Sequence, residues 1–141
     1  MADNPQAPSA RQRPVSPHLT IYRWPVTMAT SITHRATGVA LSAGMVFLAW
    51  WLIGLASGPE VYQPFVRLAG SSVGLLVLFG ILWSLCYQWL NGIRHLAWDL
   101  GYGFEVSTAN LTGVAVAVLS VLLAIGIFIL GYEIEHGAVR L

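Results

Sequence analysis

Residues 36–59, 68–93 and 106–132 of this chain form apolar stretches without a single Asp, Glu, Lys, Arg or His. Each is longer than the roughly 20 residues that an α-helix needs to cross about 30 Å of hydrocarbon. The pattern predicts an all-α membrane protein with transmembrane helices at about 28–57, 66–100 and 107–133. No alternating apolar and polar pattern of the kind that marks a half-buried strand competes with this reading.

The polar positions collect at the ends of these stretches. Ahead of the first lies Arg13-Pro-Val-Ser-Pro-His-Leu-Thr-Ile-Tyr22, then Ser31-Ile-Thr-His-Arg35-Ala-Thr-Gly38. Pro14, Pro17 and Pro25 favour an extended, turning segment before continuous helix begins. Ser31, His34 and Arg35 stand at i, i+3 and i+4, so a helix places them on one face at the membrane boundary. An always-charged guanidinium there needs an anionic or strongly accepting partner, and a neighbouring hydroxyl and imidazole can hold a carbonyl oxygen and move a proton. Lipid contact or snorkelling is the alternative for an isolated arginine.

The second helix is expected to outrun the bilayer, since a helix over 68–100 would measure about 50 Å. Its last turns would carry Arg94, His95, Trp98 and Asp99 to the level of Ser31, His34 and Arg35, and Gly101 and Gly103 would end it. Gln88, Asn91 or Gly92, His95 and Asp99 form a polar stripe, in which Asp99 is expected to pair with His95 and fix its tautomer. For Asn91, an interhelical hydrogen-bond seam is an equal alternative. In the third helix Ser107, Thr108 or Asn110 is expected to cap the start, while Gly113, Ala117, Ser120 and Ala124 make a small-residue stripe for close packing.

Composition sharpens this picture: 56% of the 141 residues are hydrophobic and 9% charged, with a mean hydropathy of +0.67. That excludes an ordinary soluble domain and leaves one unit, residues 13–141, behind a tail over 1–12 expected to be disordered. Nothing in the tail resembles a signal peptide. All basic charge is arginine, and Arg11, Arg13, Arg23 and Arg35 precede the first span while Glu133 and Glu135 follow the last. The positive-inside rule then predicts an N-in, C-out topology, in a bacterial cytoplasmic (inner) membrane. Cys86 stands alone, which excludes an intrachain disulfide and fits a small buried apolar residue.

The segments Arg13-Pro-x-Ser-Pro-His-Leu-x-Ile-Tyr22, Ser31-Ile-x-His-Arg35-x-Thr-Gly38 and Gly92-Ile-Arg-His-Leu-x-Trp-Asp-x-Gly101 together resemble the membrane-anchor, cytochrome b556 subunits of succinate dehydrogenase. The resemblance covers about residues 13–132. It implies a chain without a succinate site of its own, which joins a second three-helix anchor subunit in a membrane bundle. That bundle docks an iron–sulfur subunit and a flavoprotein subunit, so FAD and the iron–sulfur clusters belong to partners. Electrons from succinate reach ubiquinone where the anchors meet the iron–sulfur subunit. The resemblance further implies quinone contacts at Ser31 and Arg35, and a pocket for haem b with its propionates near His34, Arg35 and His95. Nucleic acid is not among the expected partners.

One position departs from the family pattern. The axial haem histidine is expected at the residue after Tyr87, and this chain has Gln88 there. An amide is a poor iron ligand beside imidazole. Three arrangements follow: no haem, a haem held by the partner anchor with Gln88 or water opposite, or a displaced haem using His95. A purely structural, haem-less anchor is the second functional reading. A transporter is the third, and it is disfavoured because the middle of each span lacks ionisable groups and no inverted repeat is evident.

Overall fold

A computed structural model describes residues 22–138. The expected tail over 1–12 and the Pro-rich segment up to residue 21 lie outside the described residues. Within them the chain is all-helical: α1 (Val26–Ser57), α2 (Pro59–Ala69), α3 (Ser72–Asp99) and α4 (Val106–Ala138). Three helices are long and apolar enough to cross a membrane, over Val26–Ser57, Ser72–Asp99 and Val106–Ile134. The protein is a multi-pass membrane protein whose exposed large side chains, such as Val39, Val46, Leu76 and Leu122, face outward along the spans.

The boundaries follow from local chemistry. Pro25 holds an extended conformation, and its carbonyl accepts from the amides of Met28 and Ala29, so α1 begins directly after the last proline of the approach. Gly58, at φ +99°, breaks the chain between α1 and α2 in a conformation that L side chains rarely adopt. At Gly54 an added Cβ would stand 3.3 Å from Tyr62 Cα, so the bare glycine lets α2 fold back on α1. Phe65 is buried there, its ring 4.9 Å from Phe47 and 5.3 Å from Trp50.

The helix expected over about 66–100 is therefore divided, with Leu68 in α2 and α3 starting at Ser72. The cause is a cap that an uninterrupted apolar run conceals. Ser71 Oγ accepts from the Gly74 amide at 3.1 Å and donates to the Leu68 carbonyl at 2.6 Å. A Cβ on Gly74 would fall 2.0 Å from the Leu68 oxygen, so this turn requires glycine. The 28 residues of α3 still extend about 42 Å, longer than the hydrocarbon layer. Gly101, at φ +86°, ends it, with the Gly101 and Tyr102 amides returning to Trp98 and Ala97. The expected caps of the third span are displaced as well. Ser107, Thr108 and Asn110 lie inside α4, and the Glu105 carbonyl receives the Ala109 amide instead.

Helix α3 lies between α1 and α4. In lipid no hydrophobic force draws helices together, so close packing and hydrogen bonds must do so. The small-residue stripe of α4 serves that end: Gly113, Ser120 and Ala124 are buried, and a Cβ on Gly113 would meet Thr30 of α1 at 3.3 Å. Trp83 Nε1 donates to Ser120 Oγ, and the Tyr87 hydroxyl donates to the Thr30 carbonyl at 3.1 Å. Cys86 is buried, as its solitary position suggested. Arg94 is buried too, donating from Nε to Thr112 Oγ1 at 3.0 Å and from Nη2 to the Ala109 carbonyl at 2.8 Å, with its guanidinium 4.1 Å from the Trp98 ring centre.

Two substitutions test these joints. Gly74→Ala must open the α2–α3 turn, and should lower stability by about 1–3 kcal/mol, as overpacking does, read as a reduced melting temperature of the detergent-solubilised protein. Arg94→Lys keeps the charge but loses the planar fork that reaches two acceptors. It should destabilise by about 1–3 kcal/mol, the range for charged hydrogen bonds, and accelerate hydrogen exchange at the start of α4.

Candidate functional site

The two polar groups of the sequence meet at one end of the helix bundle. Thr27, Thr30, Ser31 and His34 of α1, with Asn91, Arg94, His95 and Trp98 of α3, line a cleft of about 210 Å³. Its walls mix hydroxyl, imidazole, amide and guanidinium groups, unlike the apolar crevices elsewhere along the spans. One of those, of about 620 Å³, lies between α1, α2 and α3 beside Leu41, Phe47, Trp51 and Phe65.

Each expected site residue has a definite place. Ser31 is exposed and lines the cleft, and it makes no hydrogen bond within the described residues. His34 is half-buried beside it. Arg35, one turn from Ser31, is exposed outside the cleft lining and is likewise without a hydrogen bond or ion pair among the described residues. His95 is exposed at the rim, and its ring stacks on His34 with centroids 5.5 Å apart and planes 22° apart. The Trp98 ring packs against His95 in an edge-to-face arrangement, with centroids 5.1 Å apart.

The expected pairing of His95 with Asp99 is not formed. His95 Nδ1 instead lies 2.7 Å from the carbonyl of Asn91, one turn earlier on its own helix. A carbonyl oxygen only accepts, so Nδ1 carries the proton and Nε2 of the neutral ring is left as an acceptor. Asp99 is exposed, with no ion pair among the described residues. The physical reason is reach: the backbone carbonyl is adjacent and fixed, whereas a carboxylate at the helix end is better solvated by water.

Gln88 is committed to α1. Its Nε2 donates to the His34 carbonyl and, at 3.1 Å, to Thr37 Oγ1. Thr37 is buried, and a Cβ on Gly38 would come within 3.3 Å of the same amide nitrogen, so the glycine leaves the space in which Gln88 sits. Gly92 faces open space, where an added Cβ would meet nothing of this chain.

Sequence reasoning underrated two residues. Asn91 is 2% exposed and its Nδ2 has no hydrogen-bond partner among the described residues, so a donor lies buried between the helices beside the cleft. Arg94 was legible only as a charge near the membrane edge, whereas its fork closes the cleft's floor against α4. The available signal was its place between Asn91 and Trp98, one helical turn either side, which puts it on the face that packs rather than the face that meets solvent.

Comparison with known proteins agrees with this architecture. The pattern of the succinate dehydrogenase/fumarate reductase transmembrane subunit family matches residues 9–127. The chain is 42% identical over 113 residues to the succinate dehydrogenase cytochrome b556 subunit of Paracoccus denitrificans, covering 80% of this chain and 87% of the relative. It is 46% identical over 112 residues to the subunit of the same name from Rickettsia prowazekii, covering 79% and 87%. Against the mitochondrial succinate dehydrogenase cytochrome b560 subunit of Sus scrofa it is 43% identical over 117 residues, covering 82% and 69%. With three membrane-length helices and a family match across most of its length, this chain belongs to the succinate dehydrogenase/fumarate reductase transmembrane subunit family.

Proposed function

We propose that this chain is a membrane-anchor subunit of a succinate:quinone oxidoreductase and forms one wall of its quinone site. The observation that carries this reading is the cleft where Ser31 and His34 of α1 face Asn91 and His95 of α3, with Arg35 unpaired among the described residues one turn from Ser31. An exposed guanidinium and hydroxyl, without partners among the described residues at a membrane end, suit a ligand that brings carbonyl oxygens. The Ser31 hydroxyl donates to such an oxygen, and Arg35 stabilises the negative charge that grows on it as electrons arrive. The bare Nε2 of His95 and the stacked His34 ring provide imidazole nitrogens that can accept a proton and pass it on. Reduction of the quinone to quinol takes two electrons and two protons, the electrons coming from the iron–sulfur subunit.

In this reading the chain has no succinate site. It pairs with a second three-helix anchor, and the iron–sulfur and flavoprotein subunits dock on the cytoplasmic side, carrying the iron–sulfur clusters and FAD. The arginine-rich approach to α1 supports a cytoplasmic N-terminus, and Glu133 supports an external end of α4. A bacterial inner membrane follows, with the cleft at its cytoplasmic face.

Haem b fits these residues only in part. Arg35, His34 and His95 are a donor set suited to propionate carboxylates, but Gln88 offers no imidazole and its amide is already bonded to α1. The quinone reading does not require a haem ligand at that position.

Ser31→Ala and Arg35→Ala should each reduce succinate:quinone activity by at least tenfold, in line with about 1.4 kcal/mol or more of lost interaction per tenfold. Succinate oxidation by a soluble dye should persist in the same preparations. Equal loss of both activities would mean failed assembly and would count against a quinone contact. For topology, a cysteine label introduced near residue 136 should react with an impermeant reagent applied to the outside of intact cells, and one near residue 24 should not.

A further inference from the structure

Relatives of this chain are named as b-type cytochromes, yet its own imidazoles are few and peripheral. The chain has four histidines. His18 precedes the first span in the sequence and His136 follows the last. His34 and His95 are at the cleft end, and no histidine lies deeper in any of the three spans.

Those two rings are also unsuited to hold one iron together. Two imidazoles that share an iron direct ring nitrogens at it from opposite sides, with the metal in the plane of each ring. His34 and His95 are face to face, 5.5 Å between centroids and 22° from parallel, so the space between them faces π surfaces rather than nitrogen lone pairs. His95 Nδ1 is in addition held by the Asn91 carbonyl and Trp98 packs against the ring, so the one nitrogen left, Nε2, belongs to an exposed residue at the cleft rim rather than to the depth of the spans.

The helical turns below them carry Gln88, which is tied to α1 twice through one nitrogen. Both acceptors sit on α1, in the same stretch as the Ser31 and Arg35 pair, and Gly38 leaves room for the amide between them. Inside a membrane such a tie holds two helices in register where apolar contact alone would let them slide.

We infer that Gln88 is an interhelical tie holding α1 to α3, and that this chain gives the iron of a b-type haem no axial imidazole. A haem in the assembled complex then takes any protein imidazole from another subunit. This inference rests on the complex-anchor reading above, but its outcome is separable from it.

The experiment purifies the tagged chain from its native membrane with whatever accompanies it. Copurification of flavoprotein and iron–sulfur subunits tests the anchor reading on its own. Optical and electron paramagnetic resonance spectra are then taken of the wild type, of each of the four histidine-to-alanine variants and of Gln88→Leu. The expected result is no haem band, a high-spin haem, or a low-spin haem that none of these replacements alters. Loss of a band that added imidazole does not restore also agrees, since it reflects pocket or assembly rather than ligation. A low-spin haem that turns high-spin, or is lost and then recovered with imidazole, in any one variant overturns the inference.

The tie is tested by stability. Gln88→Leu should lower the melting temperature of the complex by a few degrees, and Thr37→Val should lower it in the wild-type background but not on top of Gln88→Leu. Equal lowering by Thr37→Val in both backgrounds, or no effect of Gln88→Leu, sinks the tie.

Discussion

A polar side chain inside a membrane helix must find its partner on a neighbouring helix, because lipid offers none. Helix α3 carries the side chains that donate across to the other two spans, and their partners dictate where those spans stand. Tyr87 reaches the Thr30 carbonyl and Gln88 the His34 carbonyl and Thr37, so one edge of α3 is bound to α1. Trp83 reaches Ser120 and Arg94 reaches Thr112 and Ala109, so the other edge is bound to α4. The buried small residues of α4 follow from this constraint, since bonds of about 3 Å form only if the backbones approach closely.

The same constraint separates scaffold from site. Polar groups satisfied within the chain lie between helices, whereas Ser31, Arg35 and Asp99 stay exposed without such partners among the described residues. The exposed ones gather at a single end, around a cleft whose wall includes the unpartnered amide of Asn91. Gly92, open on the same helix, and the long rows of exposed aliphatic side chains along the spans leave surface for further helices. A membrane subunit that forms one wall of a shared site would have this distribution, with its internal bonds complete and its functional groups facing outward.

Much of this was legible in the chain, because a charge-free run of membrane length is seldom anything but a span. The pairing of the two polar groups was legible too, since an over-long second helix must bring His95 level with His34. Helix α2 was not, because a short helix opened by Pro59 and interrupted in sequence by Pro64 reads as loop, and its apolar end merged with the next span. The Ser71 cap and the backbone contact at Gly74 that divide them depend on a turn whose geometry no hydropathy pattern encodes. The partner of His95 was misjudged for a related reason: helical spacing places Asp99 within range, but the Asn91 carbonyl is present for any residue type and is nearer.

Gln88 and His95 stand seven residues apart on α3, about 10 Å along its axis, and the two positions carry different burdens. His95, at the rim, is fixed by its own helix and contacts α1 only through ring stacking. Gln88, deeper in the span, fixes the backbone of His34 itself, and Ser31 and Arg35 extend from the same stretch of α1. An imidazole at that depth with one nitrogen on a metal would keep a single N–H, and could not have met both the His34 carbonyl and Thr37 as the amide does. On the proposed reading, then, the amide at position 88 does more than vacate a ligand position. It anchors the strip of α1 that presents the quinone-facing hydroxyl and guanidinium, so the quinone wall keeps its shape without depending on a cofactor behind it.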